Sequence, residues 1–461
     1  MLPLLRCMAP DLWNELELDS GKTQLTLKRP ILQDDWHRFR RYGNRVRTLE
    51  MPRLDHTMSP ELSFAMMVSA GPDGVLPNLH TLWWRMDRAV LLPGRLGPRL
   101  HHLHLEFNYR EPTLTVVEQS ILHSLPLEFP NVKELDLEYD HNPGAAVVDL
   151  ACGWPRLEFL QINFVSITYD TLRCVSQQLQ SLRCLRFDWD ADSLGEGLYF
   201  RQLREVAISI SRRDAMGPCY DLLRHFEAPE LNNIEIRVSW NASSRSFAHL
   251  FLGFLGNMNH SSVASIKVDF SMRGPYDAIP VRDPSRALCR ATIHPIFSCR
   301  HLTVFNWACF DGFDLDDGDL MIMAASWPSL QRLDLSSRCG WSTPSRITLQ
   351  GLVRLLQLCP DLQQLGIVID ATKVDASSLV MGQKTKPNMK IDALRLGNSP
   401  ITDVDVVADA LSYVLPRLFD IRAWDRDARF ELYTLPNDEA DQYKARWVEV
   451  QTIVRKRRSS R

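Results

Sequence analysis

Three places in the chain gather residue types that could do chemistry. Gly21-Lys22-Thr23 matches the end of a phosphate-binding loop, where backbone N–H groups cradle phosphate oxygens and the lysine reaches the outer phosphates. The first glycine of that loop belongs five residues earlier, where Leu16 stands, so the cradle lacks its opening turn. His101, His102 and His104 share one short segment. In a strand, His102 and His104 point to the same side, and with Glu106 they approach a three-ligand metal set. The same residues also read as ordinary polar surface, and no metal is expected. The third place runs from Asp311 to Asp319 and is rich in carboxylates. A calcium loop needs oxygen ligands at its first, third and fifth positions and glutamate at its twelfth. Counting from Asp311 puts Phe313 third, and counting from Asp314 puts Gly318 fifth and Ala325 twelfth, so the spacing fails. These acids suit a helix start, with Asp317 or Asp319 capping a helix that runs to Ala325. No GxSxG elbow, HExxH helix or dinucleotide fingerprint occurs. The chain therefore reads as a non-enzyme with no catalytic residue and no cofactor.

What remains is the frame that positions these residues. The chain has 461 residues, 45% apolar and 24% charged, which suits either several domains or one extended repeat array. A formal charge of -3 gives no general attraction to nucleic acid or an anionic membrane, and neither is an expected partner. The ten cysteines are scattered without a CxxC pair, which argues against a disulfide scaffold or zinc module and for reduced thiols. The sequons at Asn241 and Asn259 carry little weight without a secretory signal. Leu250 to Leu255 is apolar but far too short to span a bilayer. A cytoplasmic or nuclear location is expected.

One pattern recurs: an apolar residue, two variable residues, an apolar residue, one variable residue and another apolar residue. Copies begin at Val46, Leu79, Leu100, Val132, Leu157, Leu182, Leu203, Leu231, Val263, Leu302, Leu330, Leu362, Ile391 and Leu418. Successive copies begin 21 to 39 residues apart, with turn-rich inserts at Ser69–Gly74 and Arg273–Pro280. Pro77, Pro98, Pro130, Pro155, Pro229, Pro328, Pro360 and Pro416 each stand two residues before a copy. Proline there fixes φ and separates helix from strand. Helical spacing fills several intervals: Thr171 to Leu179, Tyr220 to Phe226, Phe247 to Leu255, Asp319 to Ala325, Leu349 to Leu358 and Val404 to Val414. A strand, an outer helix and a parallel strand make one repeat, which buries its apolar side only by stacking on its neighbours. The expected fold class is α/β, a leucine-rich-repeat solenoid (horseshoe) with a parallel concave sheet and outer helices. An ordinary open α/β domain has fewer strands, and a (β/α)8 barrel stops at eight.

Alternation along each strand names the residues on the concave side. Those expected to bind protein are Trp83, His104, Glu106, Glu134, Asp136, Glu138, Phe159, Arg186, Asp188, Glu205, Arg237 and Trp424. Glu106, Glu134, Asp136 and Glu138 form an acidic patch that suits a basic partner segment, or else a solvated charged face. Trp83, Phe159 and Trp424 are expected as exposed aromatic anchors, whereas Trp84 faces inward. A one-residue change of register would bury all three anchors.

Residues 1–45 are expected to form an N-terminal cap or linker, with strands near Leu12–Leu18 and Gln24–Leu27 and a helix over Asp34–Tyr42. Residues 46–423 hold the repeats. Residues 424–461 supply a helix from Asn437 to Val454, with Tyr443, Trp447 and Val450 as its packing side, and a basic tail from Arg455 to Arg461. That tail reads as a solvated end or as a tag for nuclear import or an acidic partner.

Cys7-Met-Ala-Pro-Asp-Leu-Trp-Asn-Glu-Leu16 resembles the segment that follows the F-box in fungal F-box/leucine-rich-repeat proteins. Leu27-Lys-Arg-Pro-Ile-Leu-Gln-Asp-Asp-Trp-His-Arg-Phe39 and Arg45-Val-Arg-Thr-Leu49 resemble that family's linker into its repeats. The resemblance implies a substrate-recognition subunit of a cullin-based ubiquitin ligase, with a protein substrate on the concave face. The family's F-box opens with Leu-Pro and an acidic residue, and Met1-Leu-Pro-Leu-Leu5 lacks the module behind it. The F-box is expected to be missing or truncated here, so adaptor and cullin bind only where one is supplied. The alternatives are a repeat scaffold unconnected with ubiquitin and an enzyme on an α/β frame.

Overall fold

One turn explains the spaced prolines. In the computed structural model, the Leu157 N–H donates to the carbonyl of Trp154 at 3.0 Å, closing a four-residue turn with Pro155 second. Proline suits that position because its ring presets φ. The same bond closes from Leu79 to Leu76, Val132 to Phe129, Leu231 to Ala228, Leu330 to Trp327, Leu362 to Cys359 and Leu418 to Leu415. It also forms from Leu182 to Leu179 and Leu302 to Cys299, where the second residue is not proline. Proline therefore reinforces a turn that the strand start itself requires. The residue ahead of it is buried, as Phe129, Trp154, Trp327, Cys359 and Leu415 are.

The structure describes residues 2–17, 23–51, 56–85, 96–107, 116–139, 150–189, 197–210, 222–238, 251, 262–270, 284–309, 311–338, 340–374, 386–425 and 437–459. They fall into two units, Met1–Ser193 with Leu198–Leu203, and Leu194–Gly197 with Arg204–Arg461.

In the first unit six strands pair in parallel and in chain order: Thr48–Met51, Thr81–Arg85, His102–Phe107, Glu134–Tyr139, Phe159–Ile167 and Cys184–Trp189. Their register aligns Leu49, Leu82, Leu103, Leu135, Leu160 and Leu185, none more than 6% exposed. Helices Pro60–Ser69, Val116–Glu128 and Tyr169–Gln178 lie in the intervals, as parallel pairing requires a crossover. Thr168 caps the last of these by accepting from the Thr171 N–H. The first two helices were not among the expected ones.

Ahead of this ladder, strands Trp13–Glu17, Thr23–Leu27 and His56–Met58 form a small sheet, and Gln33–Gly43 is helical. Arg29 ties Asp11 to the start of that helix. Its guanidinium donates to Asp11 at 2.8 and 3.1 Å and to the buried Asp35 at 2.7 and 2.9 Å. Asp35 also accepts from the Leu32 N–H, which fixes the helix start.

The second unit holds eight parallel strands in chain order: Glu205–Ile210, Asn233–Val238, Ser265–Phe270, Val304–Ala308, Arg332–Leu335, Gln364–Gly366, Ala393–Gly397 and Asp420–Ala423. Val206, Ile234, Ile266, Phe305, Leu333, Leu365, Leu394 and Ile421 form its central buried row. Together the units carry one strand for each of the fourteen motif copies, and the fold is a leucine-rich-repeat α/β array. Helices Asp317–Ser326, Leu349–Leu358 and Val404–Val414 are capped by Asp316, Thr348 and Asp403. The cap is thus Asp316, in place of the expected Asp317 or Asp319. Asp319 closes the reciprocal bond to the Asp316 N–H, while Asp317 reaches the Thr348 N–H and hydroxyl at 2.8 and 2.7 Å.

The basic tail is corrected in a similar way. Helix Asn437–Ser459 carries it to Ser459 and holds it against the last repeat. Arg455 donates to the Phe419 carbonyl, Arg457 pairs with Asp409, and Arg458 lies over the Phe419 ring. Trp447, Val450 and Val454 are buried beneath the helix, and Gln451 accepts from the Ile421 N–H at 2.6 Å. That contact occupies a polar group on the terminal strand, where an open sheet edge would otherwise invite pairing.

Gly21 and Lys22, the sequons, the Arg273–Pro280 insert and all of the 247–255 segment but Phe251 lie outside the described residues, as do residues 220 and 221 of another expected helix. Among the described residues no helix is long and apolar enough to cross a membrane.

Candidate functional site

The sheet face away from the helices carries the residues between the buried rows. In the first unit its middle row runs Glu50, Trp83, His104, Asp136, Gln161 and Arg186, one from each strand. Flanking rows contain His102, Glu134 and Phe159 on one side and Arg85, Glu106 and Glu138 on the other. Among the described residues, six carboxylates (Glu50, Glu106, Glu134, Asp136, Glu138 and Asp188) thus share this face with two guanidiniums, those of Arg85 and Arg186.

Trp83 is the large aromatic of this face and is 41% exposed. Its ring stacks on His104, with centroids 4.4 Å apart and an interplanar angle of 26°. His104 is only 6% exposed, so it supports the indole rather than presenting itself to solvent. Its Nδ1 lies 2.8 Å from Asp136 Oδ2. The carboxylate accepts, so the imidazole donates from Nδ1 and the ring is fixed in plane. Nε2 then faces Glu138, with Oε2 at 3.9 Å. His102 repeats the arrangement more loosely, its Nδ1 3.3 Å from Glu134 Oε2. Arg85 pairs with Glu106 at 3.3 Å. The two histidines therefore face three carboxylates of the next strand, His102 one and His104 two. Among the described residues no group of three or more metal-ligating side chains is arranged to hold a metal ion.

Phe159 is half-buried because the Arg186 guanidinium covers its ring at 5.4 Å from the centroid. Arg186 also reaches Gln161 Oε1 at 3.4 Å. Asp188 lies on the same face beyond a register shift between Ile162 and Ser166.

The remaining expected site residues belong to the second unit. Glu205 is half-buried on its sheet face, and Arg237 donates to Glu235 at 2.7 Å. Trp424 is a correction. The chain turns there through φ 56°, a left-handed conformation, and the indole goes inward to 2% exposure. Its Nε1 donates to the Ser399 carbonyl at 2.8 Å, which Trp447 shares at 2.9 Å, and its ring stacks on Tyr443. Trp424 is part of the terminal seal and offers no anchor to a partner. The expected residues therefore do not converge on one place: Trp83, His104, Glu106, Glu134, Asp136 and Glu138 do, while the second unit's residues lie elsewhere.

Sequence reasoning had no means of pairing His104 with Asp136 across 32 residues. Only the strand register makes the two residues partners.

No family model matches the chain, and no curated protein matches it. Solved structures do. An internalin of Listeria monocytogenes is 12% identical, with a TM-score of 0.39, over 82% of this chain and 93% of that one. The TLR13–ssRNA13 complex is 13% identical, with a TM-score of 0.39, over 90% and 62%. The APL1 leucine-rich-repeat domain is 12% identical, with a TM-score of 0.36, over 82% and 80%.

Proposed function

We propose that the chain is a protein-recognition subunit, and that the open sheet face of its first unit receives an arginine-bearing segment of its partner. The observation that carries this reading is the excess of carboxylates around the exposed Trp83 ring. An indole face attracts a cation, most strongly when carboxylates surround it, and arginine stacks there better than lysine. The buried His104, held by the half-buried Asp136, keeps the ring in place, so little ordering entropy is lost when a ligand docks. The action is non-covalent: the partner is held and nothing in it is transformed.

The test is equilibrium binding of fluorescent nona-arginine to the full chain. Binding that falls at least tenfold in Trp83→Ala and in Glu134→Lys/Glu138→Lys, with nona-lysine weaker than nona-arginine, supports the reading. Equal binding by wild type and variants overturns it.

The resemblance of residues 7–16, 27–39 and 45–49 to fungal F-box/leucine-rich-repeat proteins extends the proposal. The bound protein would be the substrate of a cullin-based ubiquitin ligase, in the cytoplasm or nucleus. Co-purification of the F-box adaptor or a cullin with the tagged chain supports this part. Their absence, with arginine binding intact, removes the ligase role and leaves a scaffold.

A further inference from the structure

On the helical side of the first unit, two thiols stand in van der Waals contact. Cys152 Sγ lies 3.6 Å from Cys174 Sγ. Cys152 sits in the helical stretch just ahead of the Trp154 turn, and Cys174 sits in helix Tyr169–Gln178 of the next repeat. Both are half-buried, so solvent reaches the pair. Cys299 and Cys359 of the second unit differ: they are fully buried, and desolvation pushes their thiols up to about 11. A thiolate is needed for attack on an oxidant, so those two are inert by comparison. The Gln178 amide donates to Cys174 Sγ at 3.2 Å, and either thiol of the pair can donate to the other. The amide donor marks Cys174 as the sulfur whose developing negative charge a neighbour can meet during attack.

We infer that Cys152 and Cys174 form an oxidant-accepting modification site, which closes to an intramolecular disulfide with a hydroperoxide as the oxidant. Cys174 attacks the peroxide oxygen, the O–O bond breaks, and water or an alcohol leaves with the thiol proton. The resulting sulfenic acid is attacked by Cys152, which forms the S–S bond and releases water. Both thiols are oxidised, and one peroxide is reduced for each bond formed. The bond links the helical segments that precede and follow strand Phe159–Ile167. It lies on the opposite side of the sheet from Trp83 and leaves that face uncovered. The site stands independently of the binding role proposed above.

Trypsin places the two cysteines in separate peptides, residues 134–156 and 174–183, each with one cysteine. The purified full chain is treated with equimolar hydrogen peroxide, alkylated and digested without reduction. The expected product is those two peptides joined, with two hydrogens lost, and the joined species disappears on reduction. Cys152→Ser is expected to leave a sulfenic acid at Cys174 that dimedone traps, whereas Cys174→Ser leaves Cys152 unlabelled. Oxidation of other cysteines with no joined peptide overturns the inference. Joining of either cysteine mainly to a third, such as Cys184, overturns it as well. Dimedone labelling of Cys152 in Cys174→Ser would overturn the assignment of the attacking sulfur.

Discussion

The open faces of the two units rest on ladders of the same kind and differ in what balances their acids. In the first unit the partners of Glu134, Asp136 and Glu138 are the imidazoles of His102 and His104. In the second unit five carboxylates (Glu205, Glu235, Asp269, Asp334 and Asp420) meet five fixed cations (Arg237, Lys267, Arg332, Arg395 and Arg422). Several of these pair directly: Arg237 with Glu235, Arg422 with Asp420 and Arg395 with Asp334. A guanidinium carries a fixed positive charge throughout the accessible pH range, whereas an imidazole does not. Among the described residues the first face thus sets six carboxylates against two fixed cations beside an exposed indole, and the second sets five against five. On the recognition role proposed above, repeats of one architecture serve binding in one place and self-satisfied structure in another through the residues beside the buried rows.

The largest expected effect separates the units by their ends. Trp447→Ala removes a buried indole from the terminal seal and is expected to cost about 3–5 kcal/mol. Hydrogen exchange read by mass spectrometry should rise over Asp420–Ala423 and leave Glu134–Tyr139 unchanged. A uniform rise in both units would mean that they do not respond separately.

Next comes a packing test within the second unit. A Cβ at Gly366 would fall 2.6 Å from Asp334 Oδ2 and closer still to Ser337 Oγ. Gly366→Ala is therefore expected to destabilise this unit by about 1–3 kcal/mol in urea titration. An unchanged midpoint would show that the Asp334–Ser337 turn yields freely.

Charge reversal sharpens the contrast between the faces. Glu134→Lys/Glu138→Lys in the first unit should weaken nona-arginine binding at least tenfold, about 1.4 kcal/mol. Asp269→Lys in the second should change it less than about twofold, about 0.4 kcal/mol. Equal losses would reduce the effect to net charge.

The smallest expected effect concerns pH. Hydrogen bonds from Arg29 hold the Asp35 carboxyl below its usual range. Its folded pKa is depressed, so its stabilisation is present above the ordinary carboxylate value and is lost as pH falls through the lowered one. Burial pushes Asp334 the other way, despite bonds from the Ser337 N–H and hydroxyl. Its folded form binds the proton more readily than the unfolded chain does, so its contribution falls as pH rises from the ordinary value through the raised one. Asp334→Asn retains an acceptor for the Ser337 N–H and should flatten that second slope in denaturation at stepped pH. An unchanged slope would show that Asp334 does not set it.

The sequence made the ladder legible because alternation leaves the inward residues no choice. Leu135, Leu185 and Leu333 are buried as their spacing demands. Leu349–Leu358 and Val404–Val414 have the expected bounds because Thr348 and Asp403 stop the strand-side chain and satisfy the first helical N–H groups. Trp424 defeated the reading because alternation assumes a continuing strand, and the left-handed turn ends it there. The basic tail defeated it because composition counts charges, and Arg455 and Arg457 find a carbonyl and a carboxylate on a repeat far back in the chain. The candidate site was legible as a set of residues and illegible as a bonded arrangement. His104 met Asp136 only through a register that depends on every intervening turn.

Hydrogen-exchange footprinting of the full chain with nona-arginine tests the recognition claim most directly. Protection is expected over Thr81–Arg85, His102–Phe107 and Glu134–Tyr139, and it should vanish in Glu134→Lys/Glu138→Lys. Protection confined to the second unit, or none at a concentration where the peptide is bound, would contradict it.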